Sequence, residues 1–200
     1  MIKTIDYYLS LQSPWTYLGH QRLLELAAQH SATIIPWPVD FGTIFPATGG
    51  LPLAKRSAQR QAYRMIELGR WRDYLDVPLN LQPRFFPVNE HLAAGMVIAA
   101  REQDSASAVA LTGAILRAVW AEERDIADPI TLAAIATALN LDGADLLARA
   151  EQKKINDSKA ADSQKAMERG VFGAPSYLYK DELFWGQDRL EFLARALASD

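Results

Sequence analysis

The sequence predicts an α/β protein in which a large all-helical block interrupts a small sheet-bearing frame. Three observations carry that prediction. The chain opens with a run rich in β-branched and aromatic residues (residues 2–9, IKTIDYYL), an amphipathic helical stretch (17–28) and a second apolar strand-like run (32–39, ATIIPWPV). From about residue 50 to 170 the periodicity is helical throughout. The last thirty residues return to short strands around Lys180-Asp181-Glu182 and one final helix. The frame is therefore residues 1–49 plus 171–200, and residues 50–170 are the insertion.

Composition narrows the function classes. Of the 200 residues, half are apolar and the formal net charge is −3, so a sizeable core is available and no basic footprint for nucleic acid exists. The chain has no cysteine, which excludes a disulfide, a thiolate nucleophile of its own and a cysteine-ligated metal. The longest apolar stretches fall short of a membrane span, and the N-terminus lacks the features of a signal peptide. A cytoplasmic protein acting on small molecules, with no nucleic acid or membrane partner, is the expectation.

Between the first strand and the first helix lies Ser13-Pro14-Trp15-Thr16-Tyr17. Ser13 reads as an N-cap and Pro14 as the first helical residue, where its missing N–H costs nothing. A hydroxyl at that place sits among unpaired N–H groups at the positive end of a helix dipole, a setting that favours an anion. The strand, helix, strand order also favours a parallel pair, with ligand sites at the carboxyl ends of the strands, where Ser13 lies. The 32–39 run, punctuated by Pro36 and Pro38, suits a sheet edge.

Farther along, residues 40–52 hold so many turn formers that a mobile connection is expected. Residues 53–75 read as a helix with a basic face of Lys55, Arg56, Arg60 and Arg64, and with Tyr63, Met65, Ile66 and Tyr74 available for burial. Residues 76–89, with Pro78, Pro83 and Pro87, read as irregular; Phe85 and Phe86 are either core plugs or the wall of an aromatic pocket. Helices follow at about 90–102, 107–123 and 130–139, the last opened by Asp128-Pro129. A long one runs from Asp142 towards Gly170, with a possible interruption at 156–158. Asp188 with Glu191 reads as a capping pair for the final helix. His20, His30 and His91 show no ligand-like spacing, and no metal pattern is present.

Three stretches together resemble a known family. Ser13-Pro14-Trp15-Thr16 stands where DsbA-like oxidoreductases of the thioredoxin fold carry C-P-x-C. Gly170-Val171-Phe172-Gly173-Ala174-Pro175-Ser176 resembles their cis-proline loop, and Leu183-Phe184-Trp185-Gly186-Gln187-Asp188-Arg189-Leu190 the segment after the hairpin. In that order and spacing they are similar to 2-hydroxychromene-2-carboxylate isomerases and their relatives, the kappa-class glutathione transferases. The resemblance implies a thioredoxin-like fold with a helical insertion and a bound glutathione whose thiol replaces the missing cysteine.

By that resemblance Ser13 donates to the glutathione sulfur. Ala174, before a cis Pro175, offers its backbone to the cysteinyl part, and Trp185, Gly186, Gln187 and Asp188 form the remainder of the glutathione site, Asp188 facing the γ-glutamyl end. The implied reaction is reversible conversion of a cyclic hydroxychromene carboxylate into trans-o-hydroxybenzylidenepyruvate, with glutathione not consumed. The family commonly places a lysine in the loop matching residues 45–50, often with an asparagine after the glycine; this chain has neither. Lys55 and Arg56 stand near the family's other substrate-contact region, so Arg56, with Lys55 beside it, is the expected carboxylate partner and Phe85 the expected aromatic wall. A homodimer is also implied. Two other readings stay open: a glutathione transferase that consumes its thiol, and a redox-inactive thioredoxin-fold module that binds extended peptides.

Overall fold

The computed structural model describes residues 3–199. Strand β1 (Lys3–Leu9), helix α1 (Pro14–Gln29) and strand β2 (Ala32–Pro38) open the chain, and β1 and β2 pair in parallel with Ile5 opposite Ile34. Strands β3 (Ser176–Tyr179) and β4 (Glu182–Trp185) form the closing hairpin. The sheet order is β2-β1-β3-β4, with β3 antiparallel to β1 and Tyr8 opposite Ser176. As expected, β2 lies at an edge, where Pro36 and Pro38 need no full ladder. Residue 2 of the expected first strand lies outside the described residues.

Strand alternation divides the core in two. Ile5, Tyr7 and Leu9 point into a large cluster with α1 and the helical insertion, while Tyr8 and Leu178 point to the opposite face and a smaller one with Val39, Phe41, Ile44, Ala166 and Val171. The insertion packs onto the first face through α4 (His91–Arg101), whose residues 93–100 are all buried, and α5 (Ser105–Trp120), which carries the fully buried Trp120.

The expected mobile loop at 40–52 is instead a helix, α2 (Phe41–Thr48). Its local signals are complete. The Asp40 carboxylate accepts from the Gly42 N–H at 2.8 Å and from the Thr43 hydroxyl, and Gly49 ends the helix at φ +78° with its N–H on the Phe45 carbonyl. Phe41 and Ile44 are buried beneath it, which outweighs Pro46 inside the helix.

The next helix, α3 (Ala58–Leu75), starts later than residue 53 because Ser57 caps it; Lys55 belongs to a short 3-10 turn, and Arg56 follows it. Of its apolar residues, Leu68 is buried and Met65 packs against the core, whereas Tyr63, Ile66 and Tyr74 are exposed, contrary to the expected burial. Helix α6 (Pro129–Ala138) is capped by Asp128 as read. The long helix expected from Asp142 divides at 151–152 rather than 156–158, into α7 (Gly143–Ala150) and α8 (Lys153–Glu168). The final helix, α9 (Leu190–Ala198), follows a 3-10 turn at Gln187–Arg189 and has no side-chain cap, so Asp188 is not its N-cap. No helix among the described residues is long and apolar enough to cross a membrane.

Candidate active site

Ser13 has extended backbone (φ −81°, ψ 123°), and its hydroxyl oxygen accepts from the Thr16 N–H at 3.2 Å. The chain enters this cap through a turn in which the Ser13 N–H bonds the Ser10 carbonyl. A hydroxyl that accepts one bond keeps its proton to donate, and the Trp15 N–H in the first turn of α1 has no partner among the described residues. The start of α1 thus presents an O–H and an N–H beside the positive end of the helix dipole, an arrangement suited to a thiolate.

Glu90 fixes this turn from the insertion. Its two carboxylate oxygens lie 3.0 and 2.9 Å from the Ser10 hydroxyl, and the nearer one also accepts from the Gln12 N–H at 2.9 Å. Burial raises the Glu90 pKa, and the bonds from Ser10 and Gln12 only partly offset it. Sequence reading missed Glu90, since no local pattern marks a contact made across 80 residues.

Opposite the cap, the Ala174–Pro175 peptide is cis. Because Tyr8 pairs with Ser176 at the carboxyl end of β1, Ser10 to Ser13 and Ala174-Pro175 emerge at the same end of the sheet. The loop is held by the Ser176 hydroxyl on the Gly173 carbonyl (2.7 Å) and the Gly186 N–H on the Pro175 carbonyl (2.9 Å). The Ala174 N–H and C=O have no partner among the described residues, so an extended ligand strand can pair with them.

The residues after β4 divide in role. Trp185 is half exposed and packs on Phe172 with ring centroids 4.7 Å apart. Gly186 adopts φ +101°, and the space where a Cβ would stand is taken by the Asp188 carboxylate, 2.5 Å away. Asp188 is exposed, with one oxygen on Arg189 at 2.6 Å. Gln187 points the other way: it is buried, and Arg22 of α1 donates to its side-chain oxygen (2.7 Å) and its carbonyl (3.0 Å). Gly19 makes room for this, since a Cβ there would meet the Tyr177 hydroxyl at 2.8 Å and Gln187 Cβ at 2.9 Å. Arg22 and Gly19 were not singled out from sequence; glycine on the inner face of α1 was the available signal.

The residues expected to hold a substrate carboxylate lie in the insertion. Lys55 is exposed; Arg56 is half-buried, with its Nε donating to the Leu51 carbonyl at 2.9 Å. Phe85 is half-buried under the Arg84 guanidinium, 5.2 Å from its ring centre. Phe86 packs on Trp120 at 5.0 Å, as a core plug would. Among the histidines, His20 is buried against Tyr7, and burial lowers its pKa from 6.5 to about 4, a structural role. The described residues hold no group of three or more His, Cys, Asp or Glu placed for a metal.

A sheet of this order with a helical insertion, a cap in the vacated cysteine position and a cis-proline loop beside it defines a thioredoxin-fold protein of the DsbA type. The DSBA-like thioredoxin domain matches residues 4–198, and the chain belongs to that family. Within it, the chain belongs with the 2-hydroxychromene-2-carboxylate isomerases. It is 33% identical to that enzyme of Sphingobium xenophagum over 195 residues, covering 96% of this chain and 97% of the relative. It is 28% identical to that of Pseudomonas putida, covering 96% and 93%. A solved structure of a 2-hydroxychromene-2-carboxylate isomerase superposes with a TM-score of 0.79 at 26% identity, covering 98% of this chain and 95% of the other. The structure of a probable DsbA oxidoreductase from Streptomyces coelicolor, at 16% identity and a TM-score of 0.78 over 98% of this chain and 89% of the other, shares the fold.

Proposed function

We propose that this protein is a glutathione-dependent isomerase that interconverts 2-hydroxychromene-2-carboxylate, or a related cyclic aromatic-degradation intermediate, and trans-o-hydroxybenzylidenepyruvate. The isomerase reading rests on the near full-length similarity to enzymes of that name. The observation that carries the thiol dependence is the Ser13 cap facing the side of Ala174-Pro175 in a chain with no cysteine.

The residues fit glutathione. The unpaired Ala174 amide and carbonyl suit its cysteinyl backbone, and the free oxygen of Asp188 suits the γ-glutamyl ammonium. Trp185 supplies an exposed apolar flank, while Gly186 and Gln187 shape the turn that carries Asp188. When bound, glutathione supplies a thiolate that adds reversibly to the substrate and leaves again, permitting ring opening and rotation about a former double bond without net consumption. Ser13 donates its hydroxyl proton towards the sulfur and, with the Trp15 N–H and the helix dipole, favours the ionised form. Arg56, with Lys55 near it, meets the substrate carboxylate, and Phe85 lines the aromatic part.

The test is a time course on the hydroxychromene carboxylate with and without glutathione, followed by chromene absorbance. Turnover that requires glutathione and leaves its concentration unchanged supports the isomerase. Loss of one thiol per turnover supports a transferase, and absence of glutathione binding leaves the peptide-binding reading. The exposed Tyr63, Ile66 and Tyr74 on α3 suit a homodimer face, which light scattering in solution tests.

A further inference from the structure

Two neighbouring guanidinium groups in the insertion, Arg56 and Arg64, have no carboxylate among the described residues within ion-pairing distance. Arg64 of α3 is half-buried, with its guanidinium carbon 5.3 Å from the centre of the Phe86 ring and Nη1 3.8 Å from the Met65 sulfur. No acid among the described residues ion-pairs with it; the charge that acts on it is Arg56, itself held in place by the Leu51 carbonyl. Burial first, and Arg56 second, pull the Arg64 guanidinium down to about 10, which leaves it cationic at neutral pH. Two free surface arginines would swing apart to relieve repulsion. These are anchored, Arg64 by an aromatic ring and Arg56 by a backbone carbonyl, and no carboxylate among the described residues offsets the desolvation of Arg64.

The ring that seats Arg64 is tied through the chain to the turn that presents Ser13. Phe86 precedes Glu90 by four residues, a span of at most roughly 13 Å to the Glu90 backbone, and the Glu90 carboxylate holds Ser10 and Gln12 of the turn that presents Ser13. Phe86 itself is fixed from below by Trp120. A guanidinium with one face against a ring keeps its in-plane donors for a ligand, and the matching acceptor is a planar carboxylate whose adjacent conjugated part can lie along the same aromatic surface.

We propose that Arg64, seated on Phe86 and assisted by Arg56, is the main carboxylate-binding residue of the substrate half of the site. The identity of the acid rests on the isomerase reading; the anion site rests on the two unpaired guanidinium groups. The ligand class is an aromatic monocarboxylate.

The experiment measures binding of trans-benzylidenepyruvate and of its methyl ester, without glutathione, to the wild type, Arg64→Met and Arg64→Lys by calorimetry. The expected result is acid bound about tenfold more tightly than ester by the wild type, the preference abolished in Arg64→Met and partly kept in Arg64→Lys. No preference in the wild type, or an undiminished one in Arg64→Met, overturns the proposal. Should Arg64→Met not fold, phenylglyoxal labelling of the wild type decides: the acid, and not the ester, must protect Arg64, and equal labelling overturns it. Acid binding without any isomerisation would remove the isomerase reading and leave the anion site standing.

Discussion

The two halves of the site are built by different means. The half around Ser13, Ala174 and Asp188 is made mostly of backbone: a helix start, an unpaired peptide unit before a cis proline, and a turn at Gly186 with φ +101°. The proposed substrate half is made of side chains: Arg56 in the turn before α3, Arg64 on α3, and Phe85-Phe86 on an irregular loop. Backbone geometry survives most substitutions, so the first half can persist while the chemistry it serves changes. The second half depends on side chains, and there a substitution changes the chemistry directly. Under the proposed function, thiol handling falls to the frame and substrate choice to the helical insertion.

Substitutions that strike one half and spare the other sharpen this division. The largest effect is expected from Ser13→Ala, which removes the proposed donor to the glutathione sulfur and should lower kcat about 100-fold, while an aromatic acid binds unchanged. Losing the cap also costs about 1 kcal/mol, so a melting curve must accompany the kinetics. Arg56→Ala should raise KM for the carboxylate substrate several-fold with kcat and glutathione affinity little changed; equal KM for the two proteins would remove Arg56 from the site. Gly19→Ala places a methyl 2.9 Å from Gln187 Cβ, so it should weaken glutathione binding a few-fold by shifting the turn that bears Asp188. Calorimetry with glutathione reads this out, and an unchanged Kd would show that the turn does not matter.

The smallest effect on activity, and a control for both halves, is His20→Gln. Burial holds the imidazole at about 4 against 6.5 in the unfolded chain, so on acidification the unfolded state takes up the proton first. Stability from this group is intact above pH 6.5 and falls as pH drops towards 4, by about 3 kcal/mol in total. Urea unfolding across that range should show the loss in the wild type and a shallower one in His20→Gln; parallel curves would contradict the assignment.

The frame was legible because its signals are local. Ser13 before Pro14, the strand alternation of residues 3–9 and the turn at Lys180-Asp181 each act within a few residues. Residues 40–52 were misread because glycine and proline were weighed as breakers, although Asp40 and Gly49 cap a helix whose Phe41 and Ile44 find burial under the sheet. The exposed outer face of α3 was read as core because apolar spacing cannot say whether a partner surface exists on that side. Glu90 on Ser10, Arg22 on Gln187 and the placing of Arg64 over Phe86 were beyond sequence reading altogether: each joins residues 22 to 165 positions apart, and only the folded chain supplies that proximity.

The proposed chemistry turns on Ser13 holding a foreign thiolate. Titrating the ultraviolet absorbance of the thiolate in the glutathione complex of the wild type and of Ser13→Ala tests this directly. The expected result is a thiol pKa in the wild-type complex at least about one unit below the free value near 8.5, with most of that shift lost in Ser13→Ala. A bound thiol that titrates as in free solution, or identically in the two proteins, would return Ser13 to the role of a helix cap and contradict the account.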